Sequence, residues 1–228
     1  MANGKFHLPT GRLIALAIIA GMSAGALGVY LFSAPSGNIA QRADDVAQAV
    51  PASNSPAVCE ANEQKLAAVD EAARGEVAAM LPASPSQSLA DLAFNAPDGT
   101  PMTVADLSGK TLLINLWATW CAPCRHEMPA LDQLEAEMGS DKFEVVAINV
   151  DTGSDEKPKA FLEEIQIGSL DYYRDSTLGL FNDLKRRGLA FGLPVTLLVD
   201  DRGCLLAHMN GPAEWASPDA KRLIEASM

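Results

Sequence analysis

Cys121-Ala122-Pro123-Cys124, directly behind Trp120, is the stretch of this chain best equipped for chemistry. Two thiols separated by two residues close into a small disulfide ring or hold two hydrogens as a dithiol. That is a reversible two-electron switch in one turn of backbone. The same spacing also supplies half of a zinc site, which needs two more ligands at suitable spacing. Cys59 and Cys204 are isolated and no second close pair exists, so the dithiol is the stronger reading, with no metal and no cofactor expected.

The elements that must position the pair follow from apolar patterning. Leu112 to Trp117 is a continuous apolar run, the mark of a central strand buried on both faces. A short loop follows, and a helix is expected to begin at Cys121. The free N–H groups and partial positive charge of a helix N-terminus stabilise a thiolate, which makes Cys121 the expected nucleophile. Pro123 falls in the first turn, where its missing N–H costs little. Cys124 lies further into the helix and is expected to be the more buried, resolving thiol. Phe143 to Val150 reads as a second buried strand. Glu156 to Ile167 is helical by spacing, with Phe161, Leu162 and Ile165 on its apolar side. Leu178 to Arg187 is a further helix with basic residues at its negative end and Gly188 after them. Val195 to Val199 is a strand, and Asp201-Arg202-Gly203 turns the chain into the strand Cys204 to Met209. Ser217-Pro218 offers an N-cap and a first-turn proline for a last helix. This order gives an α/β fold with a mixed central sheet flanked by helices.

The N-terminal third is of another character. Leu13 to Phe32 carries no charge over twenty residues, a helix length of roughly 30 Å that matches a bilayer's hydrocarbon core. Lys5 and Arg12 precede it, which places the N-terminus inside and the rest outside the inner membrane. A cleaved secretory signal is the alternative, but its apolar region is normally shorter. Ser33 to Val58 is rich in Ala, Ser and Pro and reads as a tether. From Glu60 to Leu81, Leu66, Val69, Ala73, Val77 and Met80 recur at helical spacing, with Gly75 a weak point and Pro82 the stop. The expected organisation is a cytoplasmic tail (1–12), a transmembrane anchor (13–32), a periplasmic linker (33–58), a helical extension (59–82) and the compact domain (83–228). A formal net charge of -12, with no basic patch, argues against nucleic acid as a partner.

Trp117-Ala118-Thr119-Trp120-Cys121-Ala122-Pro123-Cys124 resembles the W-x-x-W-C-x-x-C segment of the thioredoxin family. Gly192-Leu193-Pro194-Val195-Thr196 resembles the family's proline loop. The resemblance implies a thioredoxin-like fold and a cis bond at Pro194 opposite the cysteines. Trp120, Ala122, Pro123, Leu193 and Pro194 are then the surface that meets a substrate. Trp117 reads as packing beneath the site. Within the family the chain is most similar to the membrane-anchored TlpA/ResA group. The anchor, Glu127-Met128-Pro129, the long segment from Asp151 to Gly188 and the closing Gly211-Pro212-Ala213-Glu214-Trp215-Ala216 carry that similarity. It implies that Glu127 exchanges a proton with Cys124, against the alternative of an ordinary exposed glutamate stabilised by the helix dipole. Asn115 departs from thioredoxin itself, which has a buried acid there, so proton transfer by that route is not expected.

In an oxidising compartment the remaining pair, Cys59 and Cys204, reads as a structural disulfide stapling the N-terminal helix to the domain. Free buried thiols or metal ligands are its rivals. The resemblance further implies a periplasmic reductant of protein disulfides. Its implied clients are a copper chaperone and the copper-site cysteines of cytochrome oxidase subunit II, and its donor is a membrane thiol transporter. Reduction of apocytochromes for cytochrome c maturation is an alternative. Those reductases usually carry Glu after the loop proline, where this chain has Val195. A copper-binding carrier using Cys121 and Cys124 is a weaker one, because the adjacent His208 and Met209 face opposite sides of a strand.

Overall fold

The computed structural model describes Cys59 and residues 63–228. The span Leu13 to Phe32, the linker and residues 60–62 lie outside the described residues. Among the described residues no helix is long and apolar enough to cross a membrane.

The chain opens with helix α1 (Glu63–Ala72), a 3-10 turn (Gly75–Val77) and a short strand β1 (Leu81–Pro82). Strands β2 (Ala93–Asn95) and β3 (Pro101–Thr103) form a hairpin around the Ala96–Thr100 turn. The centre is built from β4 (Thr111–Trp117), α2 (Ala122–Met138) and β5 (Phe143–Asn149). Then come α3 (Glu156–Glu164), β6 (Tyr173–Arg174), α4 (Gly179–Arg186), β7 (Val195–Val199), β8 (Leu205–Asn210) and α5 (Pro218–Ser227). The strands form one mixed sheet in the order β1-β8-β7-β4-β5-β6-β2-β3. β4 runs parallel to β5 and antiparallel to β7. This is a thioredoxin-like α/β fold.

Every residue of β4, β5 and β7 is buried, which explains why their sequences are mostly apolar on both faces rather than alternating. Helices cover the sheet, and residues such as Leu131, Leu134, Leu184, Leu223 and Ile224 are lost from water against it.

The N-terminal helix is shorter than its apolar spacing suggests. It stops at Ala72, and Gly75 adopts φ +61°. A Cβ at Gly75 would lie 1.8 Å from the Asp219 carboxylate, so the path requires glycine, and the Glu76 N–H donates to that carboxylate. Val77 and Met80 still reach the core, from the turn rather than from a helix face. Leu81-Pro82, read from the sequence as helix end and stop, is instead an edge strand paired with His208 and Ala207 of β8. A proline is tolerated at such an edge because no further ladder needs its N–H.

α1 packs on α5 and β8, and Cys59 is disulfide-bonded to Cys204, with Cα atoms 5.6 Å apart. The segment between β5 and β7 is pinned by two carboxylates. Asp132 of α2 accepts from the backbone N–H groups of Gly168, Ser169 and Leu170. Asp175 accepts from Thr177 and from the Leu180 N–H, capping α4 in place of Leu178, which is left-handed at φ +60°.

Candidate active site

Strand β4 delivers Trp117 to the end of the sheet, and Thr119 and Trp120 carry the chain into α2. The loop is fixed by Asp151, which follows β5. Its carboxylate accepts from the Thr119 N–H (2.8 Å), the Thr119 hydroxyl (2.8 Å) and the Asn149 amide (2.7 Å). Cys121 is the N-cap of α2, in extended conformation, and its sulfur accepts from the Cys124 N–H at 3.2 Å. The helix thus starts at Ala122, one residue after the position expected, because the Cys121 sulfur itself takes the capping role.

Cys121 and Cys124 are joined as a disulfide with Cα atoms 5.3 Å apart. Both are buried, yet Cys121 retains 5% exposure and Cys124 none. Ala122 and Pro123 are exposed beside them. Trp117 is buried and its ring tilts against Phe161, while Trp120 is 67% exposed.

The facing loop comes from β7. Val195 pairs with Leu116, so Pro194 arrives at the same end of the sheet as Trp117 and the cysteine helix. The Leu193–Pro194 bond is cis. The Pro194 carbonyl accepts from Gly211, and the Phe191 N–H donates to the Asn210 side chain. With its backbone held, Phe191 projects its ring into solvent at 78% exposure. On the flank of Trp120 a shallow pocket of about 270 Å³ is lined by Asp151, Thr152, Ser154, Lys157 and Pro158.

Glu127 sits one helical turn beyond Cys124 and is 2% exposed, not the solvent-facing glutamate of the alternative reading. One carboxyl oxygen accepts from the Asn115 amide at 2.9 Å. The other accepts from the Trp215 indole N–H at 3.0 Å and the Ala213 N–H at 3.2 Å. Burial pushes this carboxyl up from 4.5 to about 7, while the bonds from Asn115, Trp215 and Ala213 pull the other way. Pro129, two residues on, has no N–H to give the Arg125 carbonyl, and the helix continues through it to Met138.

Thr196, Ala213 and Trp215 stand in the sequence only as parts of family-like motifs, with no role in the site, and Asp151 only as the start of the long segment. Asn115 is visible there as a departure from a family pattern, without its contacts. A buried acid near the cysteines is nonetheless present. It stands on α2 at Glu127, and Asn115 is its hydrogen-bond donor.

A Redoxin family model matches residues 82–224, which include every element named here except α1, its following turn, Leu81 of β1 and the last residues of α5. The chain belongs to the Redoxin family. It is 33% identical to the thioredoxin-like protein YneN of Bacillus subtilis, over 52% of this chain and 67% of YneN. It is 39% identical to the thiol:disulfide interchange protein HelX of Rhodobacter capsulatus, over 49% of this chain but only 59% of HelX. Thiol-disulfide oxidoreductases named ResA, from Oceanobacillus iheyensis and Halalkalibacterium halodurans, also match. Among solved structures, a thiol:disulfide interchange protein of Chlorobium tepidum superposes with a TM-score of 0.50 at 25% identity, over 62% of this chain and 97% of that one. These relatives place this Redoxin member in the TlpA/ResA thioredoxin-like group. With Cys121 and Cys124 closing a disulfide at a helix N-terminus, it is a thiol–disulfide oxidoreductase.

Proposed function

We propose that this oxidoreductase works as a membrane-anchored periplasmic reductant of client disulfides. The observation that carries this reading is the asymmetry of the site. Cys121 alone is open to a client, and Cys124 is sealed behind it with the Glu127 carboxyl one turn further in. A carboxylate placed there serves the step in which Cys124 must lose its proton.

The Cys121 thiolate attacks a client disulfide, forming one S–S bond and releasing one client thiolate. Cys124 then gives its proton to Glu127 and bonds to the Cys121 sulfur. The bond between Cys121 and the client breaks, and its electron pair leaves on the client sulfur. The proton on Glu127 passes to solvent or to that thiolate. This chain is oxidised by two electrons and the client is reduced by two.

Trp120, Ala122, Pro123, Leu193 and cis-Pro194 form the docking surface, and the exposed Phe191 extends it. The free backbone before a cis-proline suits pairing with an extended client segment. The uncharged Leu13 to Phe32 stretch supports the anchor, and resemblance supports the clients: a copper chaperone and the copper-site cysteines of cytochrome oxidase. A membrane thiol transporter is the matching donor.

Trapping tests this. Cys124→Ser leaves Cys121 unable to resolve, so its client stays bound by a disulfide that mass spectrometry identifies. Copper-site proteins are the expected partners. Recovery of apocytochromes instead overturns the copper-site assignment in favour of cytochrome c maturation.

A further inference from the structure

Glu127 is held by three donors from two distant parts of the chain. Asn115 comes from the middle of β4, and Ala213 and Trp215 come from the segment after β8. All three are neutral, and no charged group contributes to the shift at Glu127. A cation in their place would hold the carboxyl ionised, whereas neutral donors let it exist in either state.

Packing accounts for the ring of Trp215 but not for Asn115. Asn115 is a fully buried amide between Ile114 and Leu116 of a largely apolar strand, and its carbonyl oxygen has no partner. An apolar residue would fill that position without leaving a buried acceptor unpaired. Its NH2 group bridges Glu127 (2.9 Å) and the Thr196 hydroxyl (3.0 Å). Turning the amide over would bring the unpaired carbonyl to Glu127, where a protonated carboxyl needs an acceptor. Trp215 is fully buried and its indole N–H is spent on Glu127.

We propose that Asn115 and Trp215 are positioning residues of the redox reaction, which hold the Glu127 carboxyl behind Cys124 and set how readily it takes and returns a proton. The proposal rests on the role given to Glu127 above. In the reduced protein Cys124, one turn before Glu127 on the same helix, carries the thiol that the carboxyl is proposed to serve. β4 presents Asn115, β7 presents Thr196 beyond it, and the segment after β8 presents the Ala213 amide and Trp215. None of these four ionises near neutrality.

The test follows the resolution step in the reduced protein. With 5,5′-dithiobis(2-nitrobenzoate) as the probe, the first thionitrobenzoate reports attack by Cys121 and the second reports displacement by Cys124. The rate of the second release is measured over about pH 5–9 for wild type, Trp215→Phe, Glu127→Gln and the double variant. Trp215→Phe keeps a ring but removes one donor to the carboxylate. Its midpoint is expected to rise by about one pH unit, with the limiting rate at high pH held within about twofold. Glu127→Gln is expected to remove the inflection, and the double variant to match Glu127→Gln. If Trp215→Phe overlays wild type while Glu127→Gln still removes the inflection, the positioning role is overturned and the Glu127 role stands. If Glu127→Gln leaves the profile unchanged, both are overturned. Should Trp215→Phe not fold, Asn115→Leu, of the same branched shape and suited to an apolar strand, reads the same midpoint, and an unmoved value overturns the proposal.

Discussion

Burial makes Glu127 a carboxyl that the folded chain prefers to keep protonated. Its midpoint lies near 7 in the fold against 4.5 for the free side chain. Between those values the folded protein holds a proton that the unfolded chain has released. Stability therefore falls as pH rises through that window and levels above it. The effect is on the order of 3 kcal/mol at most, by the size of the shift. Urea unfolding of the oxidised protein is expected to show this as a difference in slope. Between pH 4.5 and 7 wild type loses stability relative to Glu127→Gln, and above about 7 the difference is constant. Parallel curves through the window would mean that the carboxyl titrates normally. The cysteine pair was legible in the sequence because its spacing is local. Glu127 was visible as a candidate, but its burial was not, since a glutamate in the early turns of a helix normally faces water. Two of its donors lie 86 and 88 residues away, and only the sheet brings them together.

Elements, rather than single residues, aim the nucleophile. The start of α2 is set by the Thr119 loop, and that loop hangs from Asp151 at the end of β5. Asp151→Ala removes the acceptor from three donors in a buried or half-buried setting and is expected to cost about 2–4 kcal/mol in urea unfolding. It is also expected to slow the first thionitrobenzoate release, because Trp120 and Cys121 lose their fixed approach. An unchanged rate with lowered stability would confine Asp151 to a folding role. At this scale the sequence was informative wherever an element is long and buried. β4, β5, β7 and α5 lie where apolar runs and capping residues placed them. It was blind to β1 and β6, two residues each, which are too short for any periodicity. It overran α1 because Val77 and Met80 keep helical spacing after the backbone has turned at Gly75. Their burial is real, but the helix is not.

For the whole molecule, the two disulfides occupy opposite ends of one antiparallel ladder. Val195 pairs with Asn210 at the redox end, and Val199 pairs with Leu205 next to Cys204 at the other. Roughly 15 Å of strand separates these two pairs. The Cys59–Cys204 bond closes a loop of 145 residues, worth about 5 kcal/mol in the chain-entropy model. The double variant Cys59→Ser, Cys204→Ser is expected to melt at lower temperature while its Cys121 reacts at the wild-type rate. A changed Cys121 rate would show that the ends communicate. The same separation has a mechanical side. Cys59 is where the described chain enters the domain, and there it is bolted to Cys204, the residue before β8, in addition to the packing of α1. A tug arriving along the chain is borne by a covalent bond at the rear of the sheet. The end of the sheet that carries Cys121 bears none of that load.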